Sequence, residues 1–341
     1  MPKKGSAKLG VDGTPLRKEA ASKGVYEEKN PVLYETRGPV AILTLNRPKF
    51  HNAQNAQLLY ALNDAFTRAV DDDAVKVIVL RAAGKHFSAG HDIGTPGRDV
   101  GRSQPKRATV WPDHVNKPGG EFFYVREQEA YLGLCRRWRE LPKPTIAMVQ
   151  GGAIAGGLML AWVCDLIVAA DNAFFSDPVV RMGLPGVEYF AHPYELNARI
   201  AKEFLFLGER MSAERAYQMG MVNRVVPLEK LEEETMAMAN KIAAMPRMGL
   251  TLTKQVVNHT EDMQGKRTAM DAIFAWHHFG HAHNDLAGGD YLGGFDAKAM
   301  AKSQRTSKES AAKKKAPSKK VPSKKTTSKK PARKKAKAKR S

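Results

Sequence analysis

The chain has 341 residues, and 55 Lys and Arg against 35 Asp and Glu give it a net charge of +20. That charge is lopsided: residues 302–341 hold 18 cations and one acid, Glu309, so the rest of the chain is close to neutral at +3. An apolar fraction of 43% supports a sizeable core through that remainder, which excludes a wholly disordered chain. The two cysteines, Cys135 and Cys164, form no C-x-x-C pair and read as reduced, buried thiols rather than a disulfide or metal framework. No apolar run approaches the roughly 20 residues of a membrane span, and the N-terminus lacks a secretory apolar region. The expectation is a cytoplasmic protein with no membrane span.

Taken in chain order, residues 1–30 are charged and rich in small side chains and read as a loose arm or strap. VLYETRGPVAILTLNRP alternates and is β-rich, predicting a hairpin that turns at Arg37-Gly38-Pro39. Leu58, Leu62, Phe66 and Ala69 recur at helical spacing over residues 55–70. VKVIVLRAAG predicts a buried strand, followed by the loop KHFSAGHDI. Residues 94–120 are rich in Gly, Pro, Arg and Lys without periodicity and predict a long mobile loop. EFFYVREQEAYLGLCRRWREL predicts one helix, and PTIAMVQGGAIAGG a strand, a turn and a helix start that LMLAWVCD continues. LIVAAD predicts another strand. Residues 212–219 carry helix cues at both ends: Ser212 as N-cap, Glu214 in the first turn, Gly220 past the end. Residues from about Leu228 to Asp285 read as mainly helical. The tail repeats PSKK with almost no apolar content and is expected to be disordered.

Four ordered segments carry a resemblance: NRPKFHNAQN (46–55), HFSAGHDI (86–93), PTIAMVQGGAIAGGLMLAWVCDLIVAADNAFF (144–175) and SAERAYQMGMVNRVV (212–226). Together they resemble the enoyl-CoA hydratase/isomerase, or crotonase, superfamily over about residues 31–300. With its histone-like Lys-rich tail, the chain looks like an actinobacterial-type member. The resemblance implies an α/β fold: the crotonase (ClpP-like) spiral of ββα units with a C-terminal helical region. The chain then divides into an N-terminal arm (1–30), a spiral core (31–227), a helical trimerisation region (228–300) and the tail (301–341). It implies assembly as a trimer or hexamer. It also implies a coenzyme A thioester as ligand, with no cofactor beyond the coenzyme A of the substrate.

In this family two backbone N–H groups polarise the thioester carbonyl, and the matching positions are His91 and Gly156. Preorganised donors of this kind stabilise the charge that develops on the carbonyl oxygen. The positive end of the helix that starts at Gly156 adds to them. A side chain at Gly156 or Gly157 would obstruct the ligand. Ala89, Asp92, Ile93, Trp162, Pro185 and Gly186 fall at substrate-binding positions, and Met159, Val179 and Trp162 suggest an apolar wall. Phe295 and Lys298 resemble positions that contact the adenine or phosphate of coenzyme A.

The sequence departs from the hydratase pattern at both catalytic glutamates. One position is Met159, the other is Val179, and neither side chain can activate water or carry a proton. Glu188 is the first candidate substitute acid/base, with Asp177 and His192 behind it; Asp177 would share the Val179 face if that segment were extended. Each has a structural reading as well: Glu188 as a surface or contact acid, Asp177 as a turn former before Pro178, His192 as a packed histidine, Asp92 as a loop anchor. A backbone donor needs no particular side chain, so the His91 side chain also reads as a bystander to its own N–H. Arg98, Arg102, Lys106 and Arg107 could meet phosphates or simply be solvated. His277 and His281 in WHHFGHAH have the i, i+4 spacing of a metal pair, but no carboxylate is evident beside them; an ordinary helix face accounts for the set and no metal is assigned.

The expected function is an acyl-CoA-processing enzyme with a thioester enolate or oxyanion, classical hydration being doubtful. Isomerisation, hydrolysis or ring cleavage with a substitute acid/base is one alternative. Another is a non-catalytic acyl-CoA binder tethered to nucleic acid by residues 302–341, whose spaced lysines suit phosphates without base readout.

Overall fold

The computed structural model describes residues 29–293 except 96–98, 100–102 and 104–105. The arm before residue 29, the tail, Phe295, Lys298, Arg98 and Arg102 lie outside the described residues.

The described chain runs β1 (Val32–Arg37), β2 (Val40–Leu45), α1 (Ala56–Asp71), β3 (Val77–Ala82), α2 (Gly119–Glu127), a wide π turn (Gln128–Gly133), α3 (Leu134–Arg139), β4 (Thr145–Val149), β5 (Gly152–Ile154), α4 (Gly156–Trp162), β6 (Leu166–Ala170) and β7 (Phe174–Ser176). After a 3-10 turn (Val179–Met182) come α5 (His192–Glu195), α6 (Ala198–Leu207), β8 (Met211–Ser212), α7 (Ala213–Gln218), β9 (Arg224–Val226), α8 (Leu231–Ala243), α9 (Arg247–Met263) and α10 (Lys266–Gly288). Six strands form one sheet in the order β1-β2-β3-β4-β6-β9. Only β1 runs antiparallel to its neighbour; the remaining pairs are parallel. A second, three-stranded sheet has the order β5-β7-β8.

The central strands are apolar on both faces because both faces are covered. Side chains alternate across a strand, so neighbours enter different cores. Ala41, Leu43, Leu45, Ile78, Leu80, Ala147 and Val149 join Leu58, Leu62 and Phe66 of α1 in the larger core. Val40, Ile42, Val77, Val79, Ile146 and Met148 face the other way, onto Leu231, Ala239 and Ala243 of α8.

Local cues behave as their chemistry dictates. Asn55 caps α1 by accepting from Leu58 N–H at 2.9 Å, and Ser212 caps α7 by accepting from Arg215 N–H at 3.2 Å. Two sequence expectations change. The helix predicted for EFFYVREQEAYLGLCRRWREL is interrupted by the π turn at Gln128–Gly133. The turn after β4 contains its own strand, β5, whose three residues are too short for a period to reveal.

Candidate active site

The site is braced from NRPKFHNAQN. Arg47 and Asp92 form an ion pair at 3.0 Å with side chains 0% and 4% exposed, and Arg47 also donates to the Ala53 carbonyl. Asn52 accepts from Arg47 N–H at 2.8 Å and donates to the Ala83 and His86 carbonyls, both at 2.9 Å. Gln54 pairs with His91 in a parallel bridge and donates to the Gly156 carbonyl at 2.7 Å. One polar loop therefore fixes the two segments that carry His91 and Gly156 against each other.

They lie very close. A Cβ on Gly90 would fall 3.2 Å from Gly156 N and 2.7 Å from the Ile154 carbonyl oxygen. A Cβ on Gly156 would meet the His91 ring at 2.5 Å, and one on Gly157 the Ser88 carbonyl oxygen at 2.4 Å. The protein's own loop thus already requires glycine at these positions. Ala155, just before α4, adopts φ 47° and ψ −115°, a conformation that L-residues other than glycine rarely hold. Among the described residues neither the His91 nor the Gly156 N–H finds an acceptor.

A cavity of about 130 Å³ opens beside these groups. Ala89, Ile93, Val179, Met182 and Leu184 supply apolar lining; His91, Arg126, Glu127, Tyr131, Glu188, His277, His281 and Tyr291 supply polar groups. Glu188 is 2% exposed, and His91 Nε2 stands 2.9 Å from each of its carboxylate oxygens. The His91 ring stacks on Tyr131 with centroids 3.7 Å apart. Burial alone would push the Glu188 carboxyl up, but the charge and hydrogen bond of His91, aided by His277, hold it well below the usual carboxylate range.

Glu127, at the end of α2, behaves oppositely. Burial first, and the Glu188 charge second, push its carboxyl well above the usual range despite Arg126 and the Tyr291 hydroxyl, which donates to it at 3.4 Å. Two carboxyls facing one cavity are therefore pushed in opposite directions, an arrangement that suits acid–base work. Tyr131 is pushed up to about 12, chiefly by burial.

The remaining candidates separate. Asp92 lines the cavity but is tied up with Arg47 and the Thr95 N–H at 2.9 Å. Asp177 and His192 are fully buried and bond to each other at 2.9 Å, and Asp177 also accepts from Val187 N–H at 3.1 Å. Neither lines the cavity, so this pair braces the Glu188 loop from behind. The reason is local: residue 179 begins a 3-10 turn, so residues 177 and 179 do not share an extended face. Val179 lines the cavity, whereas Met159, 1% exposed, and Trp162, packed edge-on to His192, belong to the core. Pro185 is exposed; Gly186 is buried, and its carbonyl accepts from His277 Nδ1 at 2.8 Å. His277 and His281 are each 3% exposed and turn inward, with Glu127 beside them.

The sheet order, the glycine junction and the cavity define an α/β fold of the crotonase type. A match to the enoyl-CoA hydratase/isomerase family covers residues 35–115 and 118–288. EchA13 of Mycobacterium tuberculosis, which is named as an enoyl-CoA hydratase, is 41% identical over 270 residues, 76% of this chain and 83% of that protein. A Mycobacterium smegmatis crystal structure, also of a protein named as an enoyl-CoA hydratase, superposes with a TM-score of 0.70 at 45% identity, covering 78% of this chain and 99% of that one. An enoyl-CoA hydratase/isomerase structure from Xanthobacter autotrophicus gives 0.64 at 28% identity, covering 84% and 99%. The chain belongs to the enoyl-CoA hydratase/isomerase family.

Proposed function

We propose that the protein binds an acyl thioester of coenzyme A with its carbonyl oxygen between the His91 and Gly156 N–H groups, and that Glu188 moves the proton. The observation that carries this reading is that neither N–H has an acceptor among the described residues, while His91, Ala155 beside Gly156, and Glu188 line one cavity. Those donors stabilise an enolate or oxyanion, and one such donor commonly lowers the barrier by about 3–4 kcal/mol. Glu188 takes a proton from the acyl chain, while His91 orients its carboxylate.

Met159 and Val179 occupy the positions of both hydratase glutamates, so water addition by that pair does not suit this site. A single base beside an enolate hole suits proton abstraction and return, as in double-bond isomerisation; activation of water for hydrolysis is the other outcome open to it. The experiment is incubation of saturated, 2-enoyl and 3-enoyl, branched and alicyclic acyl-CoAs in D₂O, read by mass spectrometry. Deuterium at the carbon next to the thioester, or a moved double bond, supports the reading. Free coenzyme A would redirect it to hydrolysis, a gain of one water would overturn the doubt about hydration, and binding without turnover would leave an acyl-CoA-binding protein.

Assembly as a trimer or hexamer fits the exposed Met248, Leu252, Val256 and Val257 of α9, which a neighbouring copy would cover. Nucleic-acid binding by residues 302–341 rests on their 18 cations. A chain ending at residue 301 should then lose DNA retention, and the full chain should lose it steeply between about 50 and 200 mM salt. No helix among the described residues is long and apolar enough to cross a membrane.

A further inference from the structure

The geometry points to a divalent-metal site of the zinc class formed by His277 Nε2, His281 Nε2 and the Glu127 carboxylate at the inner wall of the cavity. The argument starts from the two backbone carbonyls that hold the rings. His277 Nδ1 lies 2.8 Å from the Gly186 carbonyl oxygen, and His281 Nδ1 lies 2.8 Å from that of Tyr291. A carbonyl only accepts, so each Nδ1 carries a hydrogen. In a neutral ring the lone pair then sits on Nε2.

Those Nε2 atoms face each other at 3.1 Å. With both rings neutral, two lone pairs at that distance repel, and either a shared proton or a metal ion relieves the contact. The third group completes the set. Glu127 is 5% exposed, and its Oε2 stands 3.8 Å from His277 Nε2 and 3.3 Å from His278 Nε2, without a hydrogen bond to either. The three donor atoms all lie within 4.8 Å of one another.

Zinc bonds to nitrogen and carboxylate oxygen at about 2.0–2.2 Å, which places neighbouring ligand atoms roughly 3.0–3.5 Å apart. The cluster is therefore within a small side-chain adjustment of a coordination shell. Its rings already have the orienting hydrogen bonds to backbone carbonyls that metal-bound histidines usually show. Two imidazoles and one carboxylate favour a borderline ion over magnesium or calcium. Coordination takes the deprotonated carboxylate, so metal binding and protonation of Glu127 compete. The inference does not depend on the thioester reading.

The test uses the full-length, tag-free protein, stripped with a chelator, incubated with Zn²⁺ or Co²⁺ and desalted. Expected are about one retained equivalent per chain and a visible cobalt absorption of nitrogen–oxygen coordination. His277→Ala, His281→Ala and Glu127→Gln should each weaken binding at least tenfold. His259→Ala and His283→Ala, at exposed positions, should leave it unchanged. Retention below about a tenth of an equivalent by the parent protein overturns the proposal, and so does undiminished binding in both His277→Ala and His281→Ala. Should those variants fail to fold, X-ray absorption on the parent loaded with Zn²⁺ decides: a shell with two imidazoles supports the site, and a shell with none or one overturns it.

Discussion

His91 Nε2 is equidistant from the two carboxylate oxygens of Glu188, 2.9 Å from each, although the residues are 97 positions apart. The contact joins the loop bearing one candidate oxyanion donor to the loop bearing the candidate base. Glu188→Gln keeps the shape and removes the basicity. Proton exchange into a bound acyl-CoA should fall by about 10²- to 10⁴-fold while thioester affinity changes little. Single-turnover deuterium incorporation checks this, and parent-like exchange in the variant would remove Glu188 from the mechanism.

The Arg47–Asp92 pair carries the loop's stability. Asp92→Ala leaves a guanidinium with a 0%-exposed side chain without its carboxylate. Breaking a buried pair from one side costs about 3–5 kcal/mol. Urea unfolding should show a midpoint lowered accordingly, and a loss under 1 kcal/mol would mean that water or the Ala53 carbonyl suffices for Arg47.

Ala155 holds a backbone conformation suited to glycine. Ala155→Gly relieves strain of about 1–3 kcal/mol, set against about 0.5–1 kcal/mol of added chain entropy. A net gain of about 1 kcal/mol in unfolding free energy is expected, with acyl-CoA binding retained. A destabilised variant would show that the alanine methyl packs well enough to outweigh the strain.

His86 sets a pH dependence away from the cavity. Its Nδ1 accepts from Gly152 N–H at 2.9 Å, so the native ring is neutral. Burial first, then His51, Lys85 and Arg210, lower its pKa to about 4. The unfolded chain, with a histidine pKa near 6.5, binds the proton more readily. This contribution is therefore complete above about pH 6.5 and is lost progressively as pH falls toward 4. Unfolding midpoints of the parent and His86→Gln should converge over that interval, and parallel pH profiles would contradict it.

The fold was readable because its signals are local and redundant: apolar runs covered on both faces, capped helices, and a glycine pair between a strand and an apolar helix. The candidate base was only partly readable. Glu188, Asp177 and His192 occupy one short segment and are all nearly inaccessible, so nothing in the residue order tells which faces the cavity and which braces it. Glu127 is illegible in the sequence because the π turn after it breaks the 3.6-residue spacing that defines a helix face. A hint existed in Arg126 and Glu127, charges set among Phe122, Phe123, Tyr124 and Tyr131. His277 and His281 were noticed as a spacing, but their carboxylate comes from a helix some 150 residues earlier, a distance no spacing rule spans.

The widened turn at Gln128–Gly133 also makes chain length a determinant of chemistry. Removing one residue there would let α2 and α3 fuse into an ordinary helix, rotating everything before the deletion by about 100°. Glu127 and Arg126 would swing off the cavity wall with no substitution of either. Among kindred proteins, then, a gap of one in this helix is a change of active-site inventory, and a comparison that only matches letters at aligned columns would credit a carboxylate to chains that cannot present it.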